Sequence, residues 1–299
     1  MPPPDSGHLS IRLSFLITMP MSSPAPDTLR RFLRVSLLAL AIAAAGCIAP
    51  PAPMAEAPTA PPAAPAPVVP AEPPGRIIFA GFAMHSQSKA FRNDVLLAEK
   101  LVRELDSNAL MLKLANPARG ESAEWPQATV ENFALVMSKM AEVVQPRDRV
   151  LLLISTHANP GLLNITVAGK NQPPITPRLL SDALAPLKVP TLVVLSACYS
   201  GAFIKPLRAP NRVVLTASDT RLTSFRCQYD GTHTPFAEAL FGQVDAENLS
   251  VTDWMDEARK SIAAQEKRRK LPASKPQTFV GEEAKAWAGQ PLKDWLQAP

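Results

Sequence analysis

From Gly75 onward the chain alternates between short apolar runs and segments with helical periodicity. The apolar runs predict strands at Arg76–Gly81, Ala109–Leu114, Asp148–Ser155, Asn164–Val167, Val189–Ser196, Arg212–Thr216 and Gln277–Val280. The periodic segments predict helices at Lys89–Leu105, Ala128–Val144, Pro177–Leu184, Phe236–Val244 and Val251–Gln265. Continuous apolar strands separated by amphipathic helices indicate an α/β fold whose mainly parallel sheet is covered on both faces.

The sequence before this domain divides into two segments of different composition. Residues 1–46 contain the basic stretch Arg30–Arg34 and the apolar run Val35–Ala45, which is the layout of a secretion signal. The apolar run covers about 11 residues, roughly half of a membrane-spanning helix, so cleavage is favoured over a permanent transmembrane anchor. The leading region is long, and Met19 or Met21 would give a more conventional start.

The end of this signal resembles that of bacterial lipoproteins, in which a cysteine is acylated and becomes the new amino terminus. Cys47 follows the small residues Ala44–Gly46, although Ala44 stands where lipoprotein signals usually have Leu. An ordinary signal peptide and a twin-arginine signal at Arg30 and Arg31 are the alternatives. Lipidation of Cys47 would place the domain on the bacterial cell envelope, facing the periplasm, on the outer membrane by preference.

Residues 47–75 are nearly all Pro and Ala and have no apolar face, which predicts an extended tether. The remaining residues, 76–299, form the predicted catalytic or binding domain. The net charge of +5 and the pI of about 9.2 do not indicate nucleic acid, because the basic residues are interleaved with acidic ones. The basic cluster Lys267–Lys270 is interpreted as a solvated helix end.

The candidate chemistry centres on Cys198 and His157, each of which follows an apolar strand. Two parallel strands would deliver these side chains to the same carboxyl edge, where active sites of doubly wound sheets lie. A free thiol is mostly protonated at neutral pH, and an adjacent imidazole can activate it or protonate a leaving amine. A small buried cysteine and a structural histidine remain the alternative. Cys227 could instead form a disulfide with Cys198 in an oxidising periplasm.

Four segments in this order resemble the legumain-type, or asparaginyl endopeptidase-like, cysteine peptidases, especially their bacterial members. The segments are Ser155–His157, Ser196–Gly201, Val213–Ser218 and Thr223–Cys227. The resemblance implies a caspase-like three-layer sandwich that acts on peptide or protein substrates without a cofactor or metal. It also implies a His157–Cys198 dyad, with an oxyanion hole formed by the backbone N–H groups of Ala158 and Cys198.

The resemblance further implies residues that bind the side chain before the scissile bond. These are Arg92 near the first helix, Ser224 after the cysteine strand and Glu238, and Arg92 together with Glu238 would suit a polar amide. The family usually has Gly after the histidine, so the Cβ of Ala158 is expected to strain the oxyanion hole.

The sequence therefore predicts a membrane-tethered cysteine endopeptidase that works through a thioester acyl-enzyme. A transpeptidase, a hydrolase of another acyl bond and a non-catalytic envelope lipoprotein with a caspase-like binding module are the alternatives. The oligomeric state is left open.

Overall fold

The computed structural model of the chain describes residues 75–117, 120–225 and 231–297. All of these residues belong to Val68–Pro299, the second of the two units into which the chain divides. The predicted signal, Cys47, the tether up to residue 74 and Cys227 lie outside the described residues. The predictions made for them, and the domain boundaries drawn from them, stay predictions.

Strands and helices alternate through most of the described chain, as the sequence predicts. The strands are β1 (Ile77–Ala83), β2 (Leu110–Ala115), β3 (Arg149–Ser155), β4 (Ala158–Asn159), β5 (Leu162–Val167), β6 (Lys170–Ile175), β7 (Thr191–Ser196), β8 (Arg212–Thr216) and β9 (Gln277–Val280). The helices are α1 (Lys89–Leu105), α2 (Val130–Val143), α3 (Pro177–Leu184), α4 (Ile204–Leu207), α5 (Pro235–Phe241), α6 (Val251–Arg269) and α7 (Lys285–Ala288), and 3-10 turns lie at Ser200–Phe203, Ala246–Asn248 and Leu292–Gln297.

The central sheet has six strands in the order β2-β1-β3-β7-β8-β9. The first five run parallel, and β9 pairs with β8 in the antiparallel direction. The predicted α/β fold with a mainly parallel central sheet is therefore confirmed. All carboxyl ends of the five parallel strands lie along one edge.

Each central strand buries both of its faces, which explains why its sequence is continuously apolar. Alternate residues enter two separate cores: Phe79 and Leu151 belong to one, and Ile78 and Leu152 to the other. Residues of α1, α5 and α6 complete the first core, whereas residues of α2, α3 and α4 complete the second. The result is the predicted three-layer arrangement, and burial of each large apolar side chain contributes about 1.5–3 kcal/mol.

A second, antiparallel sheet of β4, β5 and β6 lies in the chain directly after His157. The sequence predicts only part of β5, at Asn164–Val167. Strand β6 has the sequence Lys-Asn-Gln-Pro-Pro-Ile, which lacks the apolar alternation of a half-buried strand. Proline is tolerated in β6 because it is the edge strand, where an N–H can face away from the sheet.

Three of the five predicted helices differ from the structure by a few residues at their ends, and the short helices α4 and α7 lie where the sequence predicts none. Thr129 caps α2 by accepting a hydrogen bond from Asn132 N–H, and α5 ends before Gly242 rather than at Val244. Helix α6 continues past Gln265, and its last turn carries the basic cluster that is interpreted above as a helix end. Within the described residues, no helix has the length and apolarity needed to cross a membrane.

Candidate active site

His157 and Cys198 lie just beyond the carboxyl ends of two neighbouring strands, β3 and β7. Ser155 and Ser196, the last residues of β3 and β7, are paired in the parallel register, and Thr156 N–H donates to the Ser196 carbonyl at 3.2 Å. His157 lies two residues after Ser155, and Cys198 lies two residues after Ser196. The structure thus brings the imidazole and the thiol to one edge of the sheet, at equivalent positions beyond paired strand ends.

A tight turn follows Cys198. Tyr199 has a left-handed backbone with φ of 54°, and its N–H donates to the Leu222 carbonyl at 2.9 Å. Gly201 N–H donates to the Ser218 carbonyl, also at 2.9 Å. A Cβ on Gly201 would lie only 2.7 Å from the backbone nitrogen of Thr220, so this position requires glycine. The segment after β8 therefore holds the Cys198 turn in place.

The thiol of Cys198 is half-buried beside Ser224. Its Sγ lies 3.4 Å from the Ser224 carbonyl oxygen, to which the S–H donates. A hydrogen bond of this kind favours the protonated thiol over the thiolate. The structure therefore places one predicted substrate-binding residue, Ser224, directly beside the predicted nucleophile.

The imidazole of His157 packs edge-to-face against two aromatic rings. The ring centroid of Phe91 lies 4.9 Å away, and that of His85 lies 4.5 Å away. Burial lowers the pKa of His157, because a desolvated imidazolium is disfavoured. Burial, together with the charge of His157, lowers the pKa of His85 to about 4. Both rings are therefore neutral at neutral pH, and His157 can accept a proton.

Ala158, the residue after the histidine, lies in an extended strand. It pairs with Leu163 of β5, and the His157 carbonyl accepts a hydrogen bond from Asn164 N–H at 2.9 Å. Ala158 is buried and is not among the described non-glycine residues with positive φ. The expected strain from its Cβ is wrong, since an extended backbone accepts alanine as readily as glycine.

Arg92 and Glu238 line two different cavities. Arg92 forms an ion pair with Glu124, stacks over the Trp125 ring at 5.3 Å, and lines a cavity of about 290 Å³. Glu238 is exposed and lines another cavity, of about 260 Å³, with His233. The two cavities share no lining residue.

The sequence interpretation missed Asp94, a fully buried carboxylate beneath the two strand ends. Its oxygens accept hydrogen bonds from Ser155 and Thr234. The available signal was the position of Asp94 between Phe91 and Val95, on the apolar stripe of α1. In the described part of the chain, no group of three or more His, Cys, Asp or Glu side chains could hold a metal ion.

A thiol and an imidazole at the carboxyl ends of adjacent parallel strands are the arrangement of a cysteine hydrolase. The model of the peptidase C13 family matches residues 125–282, which is more than half of the chain and includes both His157 and Cys198. This chain belongs to the peptidase C13 family and is a cysteine-type peptidase. The legumain-type resemblance is thereby confirmed.

Two solved structures show a distant similarity of fold. Caspase-1 from Spodoptera frugiperda is 14% identical, with 69% of this chain and 86% of that chain covered, at a TM-score of 0.47. A protein from Geobacter sulfurreducens is 15% identical, with 73% and 98% covered, also at a TM-score of 0.47. No curated protein shows significant similarity to the sequence. The family assignment rests on the matched residues 125–282.

Replacing Gly201 with alanine should loosen the turn after Cys198. The new Cβ would press on backbone atoms of Ser218, Asp219 and Thr220, so we expect the free energy of unfolding to fall by roughly 1–3 kcal/mol in a denaturant titration. Gly289→Ala is the matched control, because its Cβ would only touch the Lys285 carbonyl at 3.4 Å. Equal stability of the two variants would show that the close approach at Gly201 is unimportant.

The three described histidines should titrate in a defined order. We expect the pKa of His85 near 4, that of His157 below 6.5, and that of His233 above 6.5 because it interacts with the Asp94 carboxylate. NMR titration of labelled imidazoles, assigned with single His→Gln variants, measures all three. A pKa of His157 at or above 6.5 would contradict the burial argument.

Proposed function

We propose that this peptidase hydrolyses peptide bonds with Cys198 as the nucleophile and His157 as the general acid and base, while tethered to the bacterial envelope. The observation that supports the dyad is the register pair of Ser155 and Ser196. His157 and Cys198 each follow two residues after this pair, at adjacent strand ends. No other described cysteine stands beside a histidine at this edge, since Cys198 is the sole cysteine within the described ranges.

The first half-reaction would form a thioester. His157 takes the thiol proton of Cys198, and the sulfur attacks the carbonyl carbon of the scissile bond. The backbone N–H groups of Ala158 and Cys198 are the proposed donors to the developing oxyanion. His157 then gives the proton to the leaving nitrogen, the carbon–nitrogen bond breaks, and the amine product departs.

The second half-reaction would release the acid product. His157 takes a proton from water, the resulting hydroxide attacks the thioester, and the sulfur leaves to be protonated again. An amine in place of water would give transpeptidation. Water is the common nucleophile at an edge open to solvent, so hydrolysis is the proposed outcome.

The surroundings of the dyad support this assignment. Burial keeps His157 neutral at neutral pH, which is the form that accepts the thiol proton. Phe91 and His85 cover two sides of the imidazole and limit its rotation. In the resting state the thiol donates to the Ser224 carbonyl, so activation requires the S–H to turn towards His157.

Substrate contacts are proposed for two of the three predicted residues. Ser224 lies beside Cys198 and would contact the residue before the scissile bond. The cavity lined by Arg92 also includes Ala115, which ends β2 at the same carboxyl edge, so Arg92 would contact a substrate residue farther along. The geometry gives no support to a shared amide subsite of Arg92 and Glu238, and Glu238 is left as a solvated charge beside His233.

Envelope anchoring is proposed from the sequence. A basic and apolar signal, Cys47 and a Pro/Ala tether in this order would leave the folded domain linked to the membrane by lipid on Cys47. Acylation by two or more chains gives stable anchoring, and the tether gives the domain reach towards protein substrates in the periplasm.

Loss of the imidazole should slow alkylation of Cys198. At pH 6.5 an isolated thiol of pKa about 8.5 is only about 1% thiolate, so we expect His157→Ala to lower the iodoacetamide rate at Cys198 about tenfold or more. The rate is measured on the reduced full chain by mass mapping of the Cys198 peptide. Cys227, in the same molecules, is the internal reference and should react equally in both proteins. Equal rates at Cys198 would refute the dyad.

Substitution of the predicted lipidation site should leave the protein without its lipid. Cys47→Ala is expected to abolish incorporation of an alkyne-labelled fatty acid in cells, because no thiol is left at the new amino terminus. Cys227→Ala is the matched control and should keep the label. Equal labelling of the two variants would show that Cys47 is not the acylated residue and would contradict the proposed anchor.

A further inference from the structure

A buried carboxylate connects the ends of the two strands that carry the dyad. Asp94 of α1 is fully buried, and its Oδ2 accepts hydrogen bonds from Ser155 Oγ at 2.6 Å and from Thr234 Oγ1 at 2.7 Å. Its Oδ1 accepts from Thr234 N–H at 2.9 Å. Ser155 ends β3, and Thr234 caps α5.

The network continues from Thr234 to the other strand end. The hydroxyls of Thr234 and Ser196 lie 2.7 Å apart, and Ser196 is the last residue of β7. Asp94 therefore reaches Ser155 directly and Ser196 through Thr234. These two serines are the register pair from which His157 and Cys198 follow.

When Asp94 is ionised, its carboxylate fixes the direction of every hydrogen bond in this network. A carboxylate only accepts, so Ser155 and Thr234 donate their hydroxyl protons to it. The hydroxyl of Thr234 then has only acceptor capacity left, and Ser196 must donate to it. Each group has one orientation, which makes the network a rigid connection rather than an adaptable one.

Burial without these donors would be costly for a carboxylate. Desolvation raises the pKa of Asp94, whereas the hydrogen bonds from Ser155 and Thr234 and the nearby imidazole of His233 act in the opposite direction. His233 Nδ1 lies 3.6 Å from Oδ1, which is too long for a good hydrogen bond and is better described as an ion pair when His233 is protonated.

We propose that Asp94 is a positioning residue of the peptidase: through Ser155, and through Thr234 and Ser196, it sets the relative position of the strand ends that carry His157 and Cys198. This inference rests on the proposed dyad. It assigns to Asp94 no contact with the substrate. Its consequence is that proton sharing between the thiol and the imidazole depends on a carboxylate in another layer of the fold.

Asp94→Asn is the most specific substitution, because the amide keeps the shape of the carboxylate but replaces one acceptor oxygen with a donor nitrogen. The amide nitrogen, placed at Oδ2, would have to donate to hydroxyls that already donate towards it. Ser155→Ala removes only the branch to β3. Asp148→Asn is the matched control: Asp148 is also buried and accepts from two backbone N–H groups, but it lies just before the amino end of β3, away from the dyad.

The readout is the pH dependence of iodoacetamide alkylation at Cys198 in the reduced full chain, with thermal unfolding recorded for each variant. We expect Asp94→Asn to slow the reaction about tenfold at pH 6.5 and to move the profile towards that of an ordinary thiol, near pKa 8.5. Ser155→Ala should shift the profile in the same direction. Asp148→Asn should lower the unfolding temperature and keep the parent profile. A loss of stability alone would not produce this difference.

The outcomes separate the inference from the proposed function. If His157→Ala has the parent profile, the dyad is wrong and the role of Asp94 falls with it. If His157→Ala shifts the profile while Asp94→Asn and Ser155→Ala do not, the dyad stands and the positioning role is overturned. A shift of the same size in Asp148→Asn would also overturn it. Should Asp94→Asn fail to fold, Ser155→Ala decides, and a parent profile in that variant refutes the proposal.

Discussion

The parallel pairing of β3 with β7 is the constraint on which the rest of the site depends. Both strands are buried on both faces, so their register is set by two cores at once. That register makes Ser155 and Ser196 partners and places His157 and Cys198 at equivalent positions beyond them. The neighbouring strands β1 and β8 lead to the segments next to His157 and Cys198: α1 with Phe91 on one side, and residues 218–224 on the other.

Burial acts in opposite directions on the titratable groups of this edge. It lowers the pKa of His157 and keeps the imidazole neutral, but it raises the pKa of Asp94, whose hydrogen-bond donors favour the charged form. The result is a neutral imidazole at His157 and a buried Asp94 side chain whose Oδ2 accepts hydrogen bonds from the Ser155 and Thr234 hydroxyls. The Cys198 thiol donates to the Ser224 backbone carbonyl.

The sequence predicts those parts of the fold whose residue pattern has only one physical explanation. Continuous apolar runs indicate doubly buried strands, and α1, α3, β8 and β9 have the predicted bounds. Strand β6 was missed because its prolines and polar residues are allowed only by its edge position. Asp94 was missed because its partner Thr234 is 140 positions away, a separation that no local pattern can show. Which cavity Arg92 and Glu238 each line likewise follows from tertiary packing.

The central claim is that Cys198 is the nucleophile of a peptidase. It is tested most directly by profiling the cleavage sites that the purified chain produces in a denatured proteome, with Cys198→Ser as the control. This substitution keeps a hydrogen-bonding group of similar shape but removes the reactive sulfur. We predict new peptide termini with the parent protein and none above background with Cys198→Ser. Equal cleavage by both proteins, or none by the parent, would contradict the account.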